Sequence, residues 1–316
     1  MSQPIILAID LGGTHIRLAC VSSEGQLSHW HKARIDYSSW DTALASLYAT
    51  IDAYLANLPV SIDAIGFSAK GLVDSAAGIW LSCSSIPGLW EAPITQMLTQ
   101  RYHVPAYVDN DVHAATLAER LFGAGRTYTD FVYYNIGTGI AAGIITGGQL
   151  FRGAQNLAGE LGLTLLCADS PLSPHGPYRD LEYYASGKGI ISRAQAHLAQ
   201  HPDSALAQVN PLTSAAVFEL AQAGDPDAQA IAQDAVDAVC HSCLTLINLL
   251  NPQAIIFGGG VMTDGYLLPR VEAFCREYIA WRKSRLRLEA MILSPLGSQE
   301  VGVLGGAAVA LYAMQR

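Results

Sequence analysis

Two glycine-rich stretches and one acidic stretch carry residue types suited to handling a phosphate and an alcohol. The glycine stretches are Asp10-Leu-Gly-Gly-Thr14 and Asn135-Ile-Gly-Thr-Gly139. A glycine at a tight turn accepts positive φ and lets backbone N–H groups approach an anion with no Cβ in the way, so such turns suit phosphate. Around Gly12 and Gly13, and around Gly137 and Gly139, the hydroxyls of Thr14 and Thr138 add donors. Phosphate repels Asp10 itself. A carboxylate there can instead hold Mg2+ through water, since that ion keeps several waters and takes one or two carboxylates beside nucleotide phosphates. The acidic stretch, Val108-Asp-Asn-Asp-Val112, ends an apolar strand and precedes a helix. It reads either as a helix cap with spare acids or as Asn110 and Asp111 projecting into a cleft. Glu160 and Glu182 are ambiguous by themselves, because isolated glutamates are usually solvated.

The elements that must position these residues follow from periodicity. Ile5 to Ser22 is rich in Ile, Leu, Val and Ala, is broken at Gly12-Gly13, and reads as strand, turn, strand. From Asp41 to Leu58 apolar side chains recur at steps of three and four, which predicts an amphipathic helix. Strand signals follow at 64–67 and 106–108, a helix at about 112–122, and glycine-rich strands from 131 to 150. Beyond Ser186 the pattern is mainly helical until a strand at 254–257, closed by Gly258, Gly259 and Gly260. Alternating strands and helices predict an α/β fold with helices on both sheet faces.

The first hairpin repeats. Both copies close on Gly-Gln-Leu, at 25–27 and 148–150, with an offset of 125 residues at the first landmark and 123 at the last. This predicts a duplicated fold whose two glycine turns face a common cleft. Gly137-Thr-Gly139-Ile-Ala-Ala142 also fits the dinucleotide fingerprint, but that motif needs a helix to start in the turn. Strand and hairpin composition follows instead, so a nicotinamide site is set aside.

At 316 residues the chain has room for two domains, and 51% hydrophobic against 14% charged residues excludes a disordered scaffold. A formal charge of −9 repels nucleic acid and anionic lipid at long range. The uncharged stretch from Phe131 to Phe151 carries five glycines and several polar residues, a poor match to hydrocarbon. Six scattered cysteines and the lack of a signal-peptide start predict a cytoplasmic protein without disulfides. Cys240 and Cys243, spaced like half a zinc site, fall inside a long helical pattern with no second ligand pair and read as core.

Taken together, the motifs resemble the ROK family of sugar kinases, a branch of the actin and hexokinase-like ATPases, across nearly the whole chain. The resemblance rests on Asp10-Leu-Gly-Gly-Thr-His-Ile-Arg17, Val108-Asp-Asn-Asp111, Ile136-Gly-Thr-Gly139, the 153–162 loop, Glu182 with Ala185-Ser-Gly187, Gly258-Gly-Gly260 and the closing Gly302 to Ala308 segment. It implies a two-lobed, ribonuclease H-like duplicated fold with a central cleft. The lobes are expected at 1–115 plus about 301–316 and at 116–300. It further implies transfer of the γ-phosphoryl group of ATP, with Mg2+, to a hexose or amino-sugar hydroxyl. Asp111 would be the general base, and Gly71, Ser85, Asn110, Glu160 and Glu182 would hold the sugar alongside it. Asp10, the two glycine turns and Gly258 to Gly260 would serve the nucleotide, and a homodimer is the family's common state.

The chain departs from the family pattern at several places. The histidine usual three residues after the sugar-loop glutamate is Leu163, and the interval to Glu182 holds only Cys167 and His175 in place of a cysteine-rich zinc loop, so no structural zinc is expected. The usual proline before Gly71 is Lys70, either an outward-facing cation or a contact for an acidic sugar, and the usual asparagine before Ile86 is Ser85. The family also holds repressors with a DNA-binding domain ahead of the kinase-like body. Here the first strand starts by Ile5, and no nucleic-acid or membrane partner is expected. The rival is a kinase-like protein that binds sugar without turning it over.

Overall fold

The computed structural model describes residues 3–166, 179–282 and 287–315. In chain order the elements are β1 (Ile5–Leu11), β2 (His15–Ser22), β3 (Leu27–Arg34), α1 (Trp40–Ala56), β4 (Ala64–Ala69), β5 (Leu72–Asp74), β6 (Ile79–Ser82), α2 (Ile94–Tyr102), β7 (Ala106–Asn110) and α3 (Asp111–Leu121). They continue with β8 (Phe131–Ile136), β9 (Ile140–Thr146), β10 (Gln149–Phe151), α4 (Leu181–Ala185), α5 (Gly187–Gln200), α6 (Ser214–Gln222), α7 (Pro226–Leu250), β11 (Ala254–Gly258), α8 (Leu267–Arg282), β12 (Ala290–Leu293) and α9 (Val301–Met314).

Two five-stranded sheets repeat one plan. The first has the order β3-β2-β1-β4-β7 and the second β10-β9-β8-β11-β12. In the first, β1 pairs antiparallel with β2 and parallel with β4, which pairs parallel with β7. In the second, β8 pairs parallel with β11, and β11 parallel with β12. Strands buried on both faces read as continuous apolar runs, which is why β1, β4 and β11 show little alternation.

The chain forms two compact units. One comprises residues 1–127, 143–158 and 295–316, the other 128–142 and 159–294. In the first, α9 packs on β1, β4 and α3, and its run of Gly and Ala lets it approach closely: Gly305 lies against Ala114, and Gly306 against Gly66 and Ile9. Trp80, fully buried, meets Phe67 edge-on at 5.5 Å and Trp40 at 5.9 Å. In the second, α7 is long and apolar enough to cross a membrane by length and composition, yet it packs against α4, α5, α6 and α8 as a core helix. Cys240, Cys243 and Cys275 are free thiols in that core.

Candidate active site

In the first unit the register of three parallel strands lines up the chemistry. Asp10 on β1 stands opposite Ser68 on β4, which stands opposite Asp109 on β7; one step on, Leu11, Ala69 and Asn110 align. Lys70 and Asp111 therefore emerge side by side at the carboxyl ends of β4 and β7, the end of an α/β sheet where ligands bind.

The two acids of the Asp-Asn-Asp stretch have different fates. Asp109 is fully buried, paired with Arg152 Nη1 at 2.5 Å and facing His113 Nδ1 at 3.2 Å. Arg152 also donates to Asn156 Oδ1 (3.0 Å), whose own amide donates to the Val73 carbonyl (2.6 Å). Asp109 is thus the buried anchor of a network that ties the 152–156 loop to β5. Asn110 caps α3, accepting from the Val112 and His113 amides, and its Nδ2 donates to the Gly71 carbonyl at 2.8 Å. Gly71 has φ +98°, and a Cβ there would stand 2.3 Å from the Ser82 carbonyl oxygen, so only glycine presents that carbonyl to Asn110. Trp80 Nε1 donates to the Lys70 carbonyl (2.9 Å) and fixes the same turn.

Asp111 is the first residue of α3 and half-buried. Burial pushes its carboxyl up to about 6; the nearby charge of Asp10 adds to this, while the Val112 amide and the Lys70 ammonium pull it down. A carboxylate poised near neutrality is the state a general base needs. Ser85, half-buried, exchanges a hydrogen bond with Cys83 Sγ (3.1 Å).

The first glycine turn joins β1 to β2. Gly12 N donates to the His15 carbonyl (3.0 Å), the Tyr37 hydroxyl donates to the Gly12 carbonyl (2.5 Å), and Thr14 Oγ1 meets His15 Nδ1 (2.8 Å); a Cβ on Gly13 would enter open space. Asp10 accepts from Arg17 Nη1 at 2.7 Å. Desolvation raises its carboxyl, with Arg17 opposing. The first turn of α9 is pressed against it: a Cβ on Gly302 would lie 2.4 Å from the Asp10 carboxyl carbon.

The donor set fits Mg2+. Asp10 and Asp111 repel one another, with the charges of Arg17 and Lys70 opposing, and Mg2+ beside phosphates needs just one or two carboxylates. Among the described residues no three His, Cys, Asp or Glu side chains cluster as a protein-only metal cage. Cys167 and His175, the pair weighed for zinc, lie outside the described residues.

In the second unit the other glycine turn joins β8 to β9. The Gly187 amide donates to the Gly137 carbonyl (2.8 Å) and the Lys188 amide to the Thr138 carbonyl (3.3 Å), which docks the start of α5 on the turn. A cavity of about 640 Å³ opens there, lined by Gly137, Thr138, Gly187, Lys188, Gly260 and Val261 among others. That volume suits a nucleotide-sized ligand. Gly258 ends β11 in register with Asn135, and Gly259 lies over the Ile136 carbonyl. Glu182 Oε2 accepts from the Ile140 amide (2.9 Å) and touches the positions of Gly139 and Gly162, tying the glycine turn to the 161–163 segment. Glu160 is exposed just before the short 3-10 turn at 161–163, where Leu163 is 64% exposed.

The structure therefore gathers Asp10, Gly12, Gly13, Thr14, Gly71, Asn110 and Asp111 at one sheet end of the first unit. In the second unit it brings Gly137, Thr138 and Gly260 to one cavity. Sequence reasoning missed Lys188 and the Arg152–Asp109–His113 network. Ser186, which caps α5 directly after the Glu182 segment, was the local signal for a helix start at Gly187.

Comparison with known proteins agrees with this architecture. The family model described as ROK family matches residues 6–313, and the chain belongs to the ROK family. A beta-glucoside kinase of Klebsiella pneumoniae is 29% identical over 278 residues, 87% of each chain. An N-acetylmannosamine kinase of Shigella boydii is 27% identical over 96% of this chain and 97% of its own. The crystal structure of a ROK family glucokinase from Streptomyces griseus, in complex with glucose and AMPPNP, superposes with a TM-score of 0.77 at 26% identity, covering 97% of this chain and 98% of that one. The fold is the duplicated α/β fold of actin and hexokinase-like proteins.

Proposed function

We propose that this protein phosphorylates a hydroxyl of a hexose or amino sugar, with ATP as donor and Asp111 as general base. The chain is an ATP-dependent sugar kinase, in keeping with kinase relatives that match nearly its whole length and with a neighbour that binds glucose and AMPPNP. The observation that carries the role of Asp111 is its setting: a half-buried carboxyl raised to about 6, at a sheet end, next to an acid already committed to Arg152.

In this reading Gly71, Ser85, Asn110, Glu160 and Glu182 hold the sugar. Gly12, Gly13, Thr14, the Gly137-Thr138-Gly139 turn and Gly258 to Gly260 serve the nucleotide. The acceptor hydroxyl gives its proton to an Asp111 carboxylate oxygen while its oxygen attacks the γ-phosphorus. The bond from that phosphorus to the β,γ-bridging oxygen breaks, and ADP leaves with the electron pair. Phosphoryl transfer asks mainly for alignment and charge stabilisation, with a positioned base worth about 10²- to 10⁴-fold. When bound, Mg2+ supplies charge neutralisation at the phosphates; Asp10 would hold it through water. A cytoplasmic location, independence from nucleic acid and membranes, and assembly as a homodimer complete the proposal, the last checked by analytical ultracentrifugation.

Leu163 favours one competing reading, since an exposed leucine where the family pattern has imidazole weakens the pocket of a kinase and suits a sugar-binding protein without turnover. ADP release over a panel of hexoses, N-acetylhexosamines and glycosides decides between them. Turnover on at least one sugar is expected. Absence of turnover on every sugar, with sugar-dependent thermal stabilisation, would overturn the kinase in favour of the binder.

A further inference from the structure

One face of α5 walls the second-unit cavity: Lys188, Ile191, Ser192 and Gln195 recur at steps of three and four. At the helical rise this stripe is about 10 Å long, close to the span of a nucleotide. A helix start usually receives phosphate on its free amides. Here those amides are committed. Gly187 N goes to Gly137, Lys188 N to Thr138, and Gly189 N to the Ser186 hydroxyl at 2.9 Å. A phosphate at this end needs another positive group, and Lys188 is the one charged residue among those lining the cavity. It is exposed and makes no ion pair with any described residue. Beyond it the stripe is neutral, as a nucleoside requires.

We infer that Lys188 is the side-chain cation that binds the phosphate chain of the donor, with the nucleoside running along α5 toward Gln195. The inference rests on the reading of the chain as an ATP-using kinase and adds a residue and a direction to it. It is tested by titration calorimetry of the wild type, Lys188→Met and Lys188→Arg with ATP, inorganic tripolyphosphate and adenosine. The Met variant should lose about tenfold or more in affinity for ATP and tripolyphosphate, the size of one charge-assisted contact, with adenosine unchanged and the Arg variant close to wild type. In steady state its KM for ATP rises while its KM for sugar holds. Unchanged ATP affinity, or an equal loss for adenosine, would overturn the assignment of Lys188. A wild type that binds none of the three probes would instead overturn the nucleotide reading itself, and Lys188 with it.

Discussion

The two glycine turns share a hairpin plan and differ in what surrounds it. The first carries Asp10, paired with Arg17 and pressed by the start of α9. The second carries Asn135 at the matching place, and the start of α5 is hydrogen-bonded to the Gly137 and Thr138 carbonyls of that turn beside an open cavity. One turn is acidic and closed around a carboxylate; the other is neutral, with a cation at its rim. The same backbone plan occurs twice, and the side chains around it differ in charge and in how much space they leave.

That contrast is sharpest at Asp111. Asp111→Asn should lower kcat by about 10² to 10⁴ while sugar-dependent thermal stabilisation persists; a kcat within tenfold of wild type would break the acidic half of the comparison. The same substitution has a stability signature. Because the folded-state carboxyl is raised from an ordinary 3.8 to about 6, the stability it contributes is present below pH 4 and gone above pH 6. The Asn variant should therefore melt higher than wild type above pH 6, with the gap closing toward pH 4.

Next in size is the acid limb of activity. The base must be ionised, so kcat/KM should fall about tenfold per pH unit below about 6. A limb set by an unperturbed carboxylate near 4 would count against the burial of Asp111. At the turns themselves, Gly302→Ala drives a Cβ into the Asp10 carboxylate and should cost about 1–3 kcal/mol in urea unfolding. Gly187→Ala meets the Gly137 carbonyl at 3.2 Å and should cost less. Equal costs would mean the two turns are equally crowded. Smallest is Lys70→Ala: with its ammonium gone, the Asp111 carboxyl rises further and the acid limb moves to higher pH by a fraction of a unit.

Much of this was legible in the sequence because it is local. Glycines between apolar runs announced both hairpins, and the three- and four-residue steps from Asp41 to Leu58 announced α1, which spans Trp40–Ala56. The Asp-Asn-Asp stretch announced a strand end and helix cap, and Asn110 caps α3 as that pattern implies. What stayed hidden depends on partners far along the chain. Nothing near Asp109 says that Arg152 neutralises it, so its two acids read alike until the fold separates them. Nothing near Lys188 says that its helix begins on a turn fifty residues earlier. The nearness of Lys70 to Asp111 comes only from strand register.

The close approach of Gly302 to Asp10 bears on how the first unit folds. These residues stand 292 positions apart, so the surroundings of Asp10 are completed by a contact between distant parts of the chain. The stretch between them includes all residues of the other unit, so making this contact closes a long loop. The surroundings of Asp10 are therefore set by one of the least local contacts in the fold.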